Sequence, residues 1–295
     1  MNIELIDFYA TDGILNNGFI MSNNSKKILI ATHGMDSNCF KKRERIIAEN
    51  VIKNDIDFFG YNNRGSELVK DVKKKAEDGS VTRILGGTTF EDITESYYDI
   101  KGAILKAIEL GYEEIFLQGH SLGSSKVVYT YNKLKDENSE IIKYIKGIIL
   151  LSLVDIPRAL KIYLNKNFLS MLKLAEDKES RGEIYDIMPK ESFIHLVSVK
   201  TFLKYAKYNN DINFSCYHDK NFEFKELDNI DVPLFMRWGN INEMIEQDAK
   251  ELAELVNRKI NNNKKDINYI DGADHSYTRK EKELADQIVK FLSNI

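Results

Sequence analysis

The chain has 295 residues, of which 43% are hydrophobic and 30% charged, so a sizeable core can be buried beneath a well-hydrated surface. Its 42 Lys and Arg against 46 Asp and Glu leave a formal charge of −4, a balance that argues against the basic face of a nucleic-acid binder. The two cysteines, Cys39 and Cys216, form no disulfide framework and suit a reducing compartment. The opening MNIELIDFYATDG lacks the basic and apolar regions of a secretory signal, and no apolar run is long enough to span a membrane. A cytoplasmic protein without a membrane span is expected.

Residues 3–9 and 15–21 are strand-like and flank Asp12-Gly13, which predicts a hairpin. Residues 27–32 (KILIAT) form a compact apolar run, as a buried parallel strand would, and stop at His33-Gly34. A surface helix over 40–53 and a strand over 55–60 follow. Thr88-Thr89-Phe90-Glu91 has the spacing of a capping box. It predicts a helix that carries Ile93, Tyr97, Ile100, Ile104, Ala107 and Ile108 on one face and closes at Gly111. A strand over 114–118 leads into Gly119-His120-Ser121-Leu122-Gly123 and a helix to about 135. Further strands are expected at 147–153, 232–238 and 266–270, with helices near 243–260 and 279–293. Thr278 and Glu281 supply the last helix with a second capping box. Strands alternating with helices signify a mainly parallel α/β sheet. The rhythm breaks between about 157 and 228, where KIYLNKNFLSMLKLA and FIHLVSVKTFLKYAKY have helical periodicity. Pro157 opens this stretch and Val232-Pro233 follows it. The expected division is a core of 1–155 and 229–295 with a helical cap, 156–228, inserted into it.

Three places carry the chemistry. The pattern G-x-S-x-G at 119–123 is short and arises by chance, but here it follows a strand and precedes a helix. A sharp strand–helix turn exposes the Ser121 hydroxyl as a nucleophile and aims the Leu122 N–H at a developing oxyanion. The bland reading is a glycine-rich turn with a capping serine. His33-Gly34-Met35-Asp36 ends an apolar strand, and the Met35 backbone N–H would be the second oxyanion donor that acyl transfer needs. The third place is Asp271-Gly272-Ala273-Asp274-His275-Ser276. Of the five histidines, His33 and His120 belong to turns and His195 and His218 to the insertion. Only His275 follows a core strand on the side where a general base must stand.

With these residues in order, the chain resembles an α/β-hydrolase-fold serine hydrolase with a helical cap. It is similar to the monoacylglycerol-lipase and serine-aminopeptidase-like branch. Tyr61-Asn62-Asn63-Arg64-Gly65 is similar to that family's D-x-R-G-x-G turn, and Gly87-Thr88-Thr89-Phe90-Glu91 to a stretch of siderophore-esterase-like proteins. The resemblance implies an acid in a G-x-x-D turn after the strand at 232–238. This chain has Gly239-Asn240-Ile241-Asn242-Glu243, with Asn242 at the aspartate position. An amide cannot stabilise an imidazolium as a carboxylate does. Glu243 can serve after a one-residue shift, Asp155 can serve from the strand at 147–153 as in some lipases of this fold, or the acid is missing and Asn242 stands in. Each also has a bland role: Glu243 in the first turn of a helix, Asp155 as a helix cap. The acid is left open between Glu243 and Asp155.

The expected reaction is hydrolysis of a small-molecule carboxylic ester through an acyl-enzyme on Ser121, with His275 as base and Met35 and Leu122 as oxyanion donors. No metal-ligand spacing is visible and no cofactor is implied. Two alternatives stand beside it. One is an aminopeptidase or amidase, in which Asp177, Glu179 and Glu183 would capture an amine. The other is a non-catalytic binding protein, for which Asn242 is the support and Ser121 and His275 are the objection. Arg64 reads as a brace for neighbouring loops. Of the cap's apolar residues, such as Phe168, Leu169, Met171, Phe193, Phe202 and Tyr205, some are expected to line an acyl pocket and most to pack the cap on itself.

Overall fold

In the computed structural model, which describes residues 1–208 and 213–295, apolar runs become strands buried on both faces. The main sheet holds β1 (Asn2–Tyr9), β2 (Leu15–Ser22), β3 (Lys27–Thr32), β4 (Asp57–Asn62), β7 (Glu114–His120), β8 (Ile145–Leu151), β9 (Leu234–Gly239) and β10 (Lys265–Ile270). Two further strands, β5 (Lys70–Lys75) and β6 (Val81–Gly86), pair separately as a hairpin. The strand order of the main sheet is β1-β2-β4-β3-β7-β8-β9-β10. The β1–β2 and β2–β4 pairs are antiparallel and all the others are parallel.

Alternation along each strand divides the core into two layers. Ile28 and Ile30 of β3, Ile115 and Leu117 of β7 and Ile148 and Leu150 of β8 face one side. There they meet α2 (Ser96–Glu109), α3 (Leu122–Asp136) and α8 (Ala249–Lys259). Leu29, Phe116, Ile149, Leu151 and Phe235 face the other side and meet α1 (Lys42–Val51) and α9 (Glu281–Leu292). The result is a mostly parallel sheet flanked by helices, an α/β fold.

The chain leaves β8 into α4 (Ile156–Leu164), α5 (Phe168–Ser180), α6 (Val199–Ala206) and the short α7 (Lys225–Asp228) before it returns as β9. Asp155 caps α4 by accepting the Arg158 N–H at 3.1 Å, and Pro157 sits in the first turn, where no donor is needed. Ser198 caps α6 in the same way through the Thr201 N–H at 3.2 Å. Part of the stretch read as a cap, residues 209–212, lies outside the described residues.

Both expected capping boxes differ from what is observed. Thr88–Phe90 forms a single 3-10 turn, and the helix begins only at Ser96. Thr88 and Glu91 are committed to tertiary contacts instead. The Thr88 hydroxyl donates to the Gly65 carbonyl at 2.8 Å and accepts the Asp36 N–H at 2.7 Å, while Glu91 pairs with Lys126 inside the protein. At the other box, Tyr277 and Arg279 have φ of 60° and 66°, so helical backbone starts only at Glu281. The β5–β6 hairpin has no counterpart in the sequence reading. Its residues are mostly exposed, and its one buried anchor, Val72, packs with Ala10 and Ile14.

Candidate active site

Ser121 stands between the end of β7 and the start of α3 with φ 54° and ψ −125°. That backbone is strained for a residue with a side chain, at about 1–3 kcal/mol, and persists because the surroundings hold it. The Ser121 N–H donates to the Leu151 carbonyl at 2.8 Å, and the Ser121 carbonyl accepts from the Ser124 N–H at 2.9 Å. The flanking glycines allow this close approach. A Cβ on Gly119 would lie 2.3 Å from the Gly123 carbonyl oxygen, and one on Gly123 would lie 2.3 Å from that of Thr32.

His275 lies in the loop after β10, and its Nε2 is 3.0 Å from the Ser121 Oγ. Its Nδ1 bonds to Oε1 of Glu243. Glu243 is therefore the carboxylate that the structure brings to His275. Asn242 has φ 50° and is exposed. This left-handed residue turns the loop so that the following, longer side chain reaches inward. The Glu243 side chain is only 2% exposed. Its Oε2 accepts the Gly239 N–H at 3.0 Å and the Ser152 hydroxyl at 2.8 Å, and its Oε1 also accepts the Met244 N–H at 3.1 Å. Burial opposes the charge of Glu243. The His275 ring and the donors from Gly239 and Ser152 outweigh burial and hold its pKa below the ordinary glutamate range.

Asp155 is not brought to His275. Besides capping α4 it faces Nδ1 of His218 at 3.1 Å, a separate cluster. A carboxylate committed at the first turn of α4 is not free to turn toward the His275 loop.

Met35 and Leu122 line the same cavity as Ser121. Leu122 is the first residue of α3, where the amide has no acceptor within the helix. A Cβ built on Gly34 would meet the Ser121 Cβ at 3.0 Å and the Leu122 N at 3.5 Å, so the backbone at Gly34 lies directly against Ser121. His33 fixes this turn. Its Nδ1–H donates to the Gly34 carbonyl at 2.8 Å, and its Nε2 accepts the Asn63 N–H at 3.2 Å. Burial, helped by the charge of Lys126, pulls the His33 pKa down to about 3, so the ring stays neutral and keeps that tautomer.

Several supporting residues carry no readable motif. The His120 Nε2–H donates to the His275 carbonyl at 2.7 Å and ties down the loop that carries His275. Burial, and then the Arg43 charge, hold the His120 pKa well below its usual value. Ser152 has φ 49° and is fully buried where it donates to Glu243. It follows β8 inside an apolar run and looks like part of the strand. Lys126 and Glu91 form an ion pair behind the serine turn, both side chains 0% exposed. Arg64 braces loops as expected, through Asp99 at 3.0 Å, Asp12 at 2.8 Å and Glu95 at 3.2 Å.

A cavity of about 520 Å³ opens above Ser121 and His275, walled in part by Val154, Ile156, Leu160, Phe193, Ile194 and Met244, with Lys41, Lys42, Arg43, Asp36, His195 and Glu281 also on its lining. Of the cap residues singled out in the sequence, Phe193 lines it, while Phe202 and Tyr205 are buried in the core and Leu169 is exposed. Asp177, Glu179 and Glu183 do not line it among the described residues, and Glu183 is held by Arg181 at 2.8 Å.

No family model and no curated protein matches the chain. Solved structures do. The esterase Est1E from Butyrivibrio proteoclasticus, bound to ferulic acid, superposes with a TM-score of 0.64 at 14% identity, covering 97% of this chain and 98% of that one. The α/β hydrolase GrgF from Penicillium sp. sh18 gives 0.68 at 13% identity, covering 100% and 99%. A soluble variant of monoglyceride lipase from Saccharomyces cerevisiae, in complex with a substrate analogue, gives 0.63 at 15% identity, covering 100% and 96%. Likeness at such identities is likeness of architecture, and with the sheet order and serine turn described above it establishes that this chain has the α/β-hydrolase fold.

Proposed function

We propose that the protein is a serine hydrolase that cleaves carboxylic esters of small molecules through an acyl-enzyme on Ser121. The observation that carries this reading is the linear relay at the base of an apolar cavity: Ser121 Oγ, His275 Nε2 at 3.0 Å, and His275 Nδ1 on the buried Glu243. His275 Nε2 takes the hydroxyl proton as Oγ attacks the carbonyl carbon. Glu243 keeps the proton on Nδ1 and stabilises the imidazolium that forms. The Met35 and Leu122 amides hold the oxyanion. Collapse expels the alcohol, which takes the proton from Nε2. Water, deprotonated by the same ring, then releases the acid and restores Ser121.

The apolar side of the cavity, from Val154, Ile156, Leu160 and Phe193, suits an uncharged acyl chain. Residues 156–228 act in this reading as a cap over a core of 1–155 and 229–295, and they set substrate range. Asp177, Glu179 and Glu183, the carboxylates that the amide reading relies on, are not among the residues that line the cavity. The intact relay favours an enzyme over a binding protein. No helix among the described residues is long and apolar enough to cross a membrane.

The test is intact mass after exposure to a fluorophosphonate, with Ser121→Ala as control. A single adduct on the wild type and none on the variant is expected. No adduct on a folded wild type that also fails to cleave short-chain esters overturns the proposal.

A further inference from the structure

The cluster that claims Asp155 has a composition of its own. Cys216 and His218 leave the segment after α6 as C-x-H, and they meet Asp155, which lies just beyond β8. Cys216 Sγ lies 3.6 Å from His218 Nδ1, and that nitrogen lies 3.1 Å from Asp155 Oδ2. All three donor atoms fall within 4.8 Å of one another. From these contacts the geometry points to a divalent-metal site of zinc type, with Cys216 Sγ, His218 Nδ1 and Asp155 Oδ2 as protein ligands.

The distances suit that ion. Tetrahedral zinc, with Zn–S of about 2.3 Å and Zn–N and Zn–O of about 2.0–2.2 Å, separates sulfur from nitrogen by about 3.5 Å and nitrogen from oxygen by about 3.3 Å. A small turn of the His218 ring, which is 33% exposed, directs its lone pair at the centre. The donor chemistry also suits it, since a thiolate, an imidazole and a carboxylate together select zinc over magnesium or calcium. Asp155 and Cys216 are 5% and 7% exposed, so two acidic groups are withdrawn from water side by side. The nearby cation, Arg158, is engaged by both oxygens of Glu246 at 2.8 Å. The Tyr208 ring lies 5.5 Å from that of His218 and flanks the cluster.

A groove of about 280 Å³, lined in part by Asp155, His218 and Tyr217, leaves a fourth position for water. Binding exchanges the Cys216 thiol proton for a sulfur–metal bond and releases that proton to solvent. The ion then links the end of β8 to the segment beyond α6, so its first effect is to fasten the two together. The spacing in the sequence matches no familiar zinc pattern, because Asp155 is brought in by the fold.

The experiment uses the full chain, stripped by chelator and kept reduced. Zinc titrated by calorimetry should bind one ion per chain and release protons, and Tm should rise with the logarithm of free zinc. Cobalt in its place should show the visible bands of a tetrahedral centre and near-ultraviolet sulfur-to-metal charge transfer. Cys216→Ser, checked for folding by circular dichroism, should lose the charge-transfer band and bind at least tenfold more weakly. Absence of heat, spectrum and Tm shift at millimolar metal overturns the proposal. So does binding that Cys216→Ser leaves unchanged, which would place the ion elsewhere.

Discussion

Glu243→Gln tests the relay at its least legible member. Each carboxylate oxygen of Glu243 faces one fixed backbone donor: Met244 N–H on Oε1 at 3.1 Å and Gly239 N–H on Oε2 at 3.0 Å. A glutamine has one oxygen, so one of these donors must face its NH2 group. With the NH2 toward Gly239, the Gly239 amide is left unpaired at about 1–3 kcal/mol. With the NH2 toward His275, Nδ1 must accept, the ring proton moves to Nε2, and the base can no longer take the proton of Ser121. Either way no charge remains to stabilise the imidazolium. Loss of the acid in such a relay lowers kcat by about 10⁴, equivalent to about 5.5 kcal/mol. The assay is steady-state cleavage of a short-chain chromogenic ester, with kcat and KM resolved and folding checked by Tm. The expected result is the full loss in kcat, little change in KM and a modest fall in Tm. A variant within tenfold of wild type would refute the reasoning, and a deep loss in Asp155→Asn instead would return the acid role to that residue.

Three other outcomes are expected. Ser121→Ala and His275→Ala should each remove most turnover; Ser121→Ala should leave Tm near that of wild type, while His275→Ala, which takes a partner from the buried Glu243, should lower it; full activity in either sinks the mechanism. Lys126→Met strands the buried Glu91 carboxylate and should cost about 3–5 kcal/mol in urea unfolding, much of it regained on adding Glu91→Leu. A loss below about 1 kcal/mol would show that the pair contributes nothing. Because the folded pKa of Glu243 lies below its unfolded value, its stabilisation is complete above the unfolded pKa and is lost as pH falls through the folded one. The stability gap between wild type and Glu243→Gln, measured by urea unfolding across acid pH, should therefore close on acidification. A gap that is constant with pH would mean that Glu243 is not ionised.

Much of the sheet could be read in advance, because strands buried on both faces are runs of apolar residues. KILIAT at β3 and GIILL within β8 have no other comfortable fate. The pairing of Ser121 with His275 was legible because each sits in a local pattern beside such a run. Legibility failed where a side chain serves a distant partner. Thr88 and Glu91 look like a helix cap, yet they bond to Gly65, Asp36 and Lys126. The choice between Glu243 and Asp155 turned on the backbone of Asn242, whose φ of 50° no spacing encodes. Ser152 could not be found at all, since a serine after a strand announces nothing until the acid it serves is in place.

The stretch from Thr88 to Glu91 has a consequence for any attempt to change what the cavity accepts. Thr88 holds the amide of Asp36, next to Met35, at 2.7 Å. Thr89 receives the Ser198 N–H at 2.8 Å and the Thr201 hydroxyl at 3.0 Å, both at the start of α6. Glu91 grips Lys126 on α3, the helix that starts beside Ser121. One short length of backbone thus sets both the seat of α6 and the turn that carries Met35. A foreign segment grafted in place of 156–228 must bring its own equivalents of Ser198 and Thr201. Without them the graft would loosen the backbone beside Met35 and disturb the wall of the cavity next to Ser121.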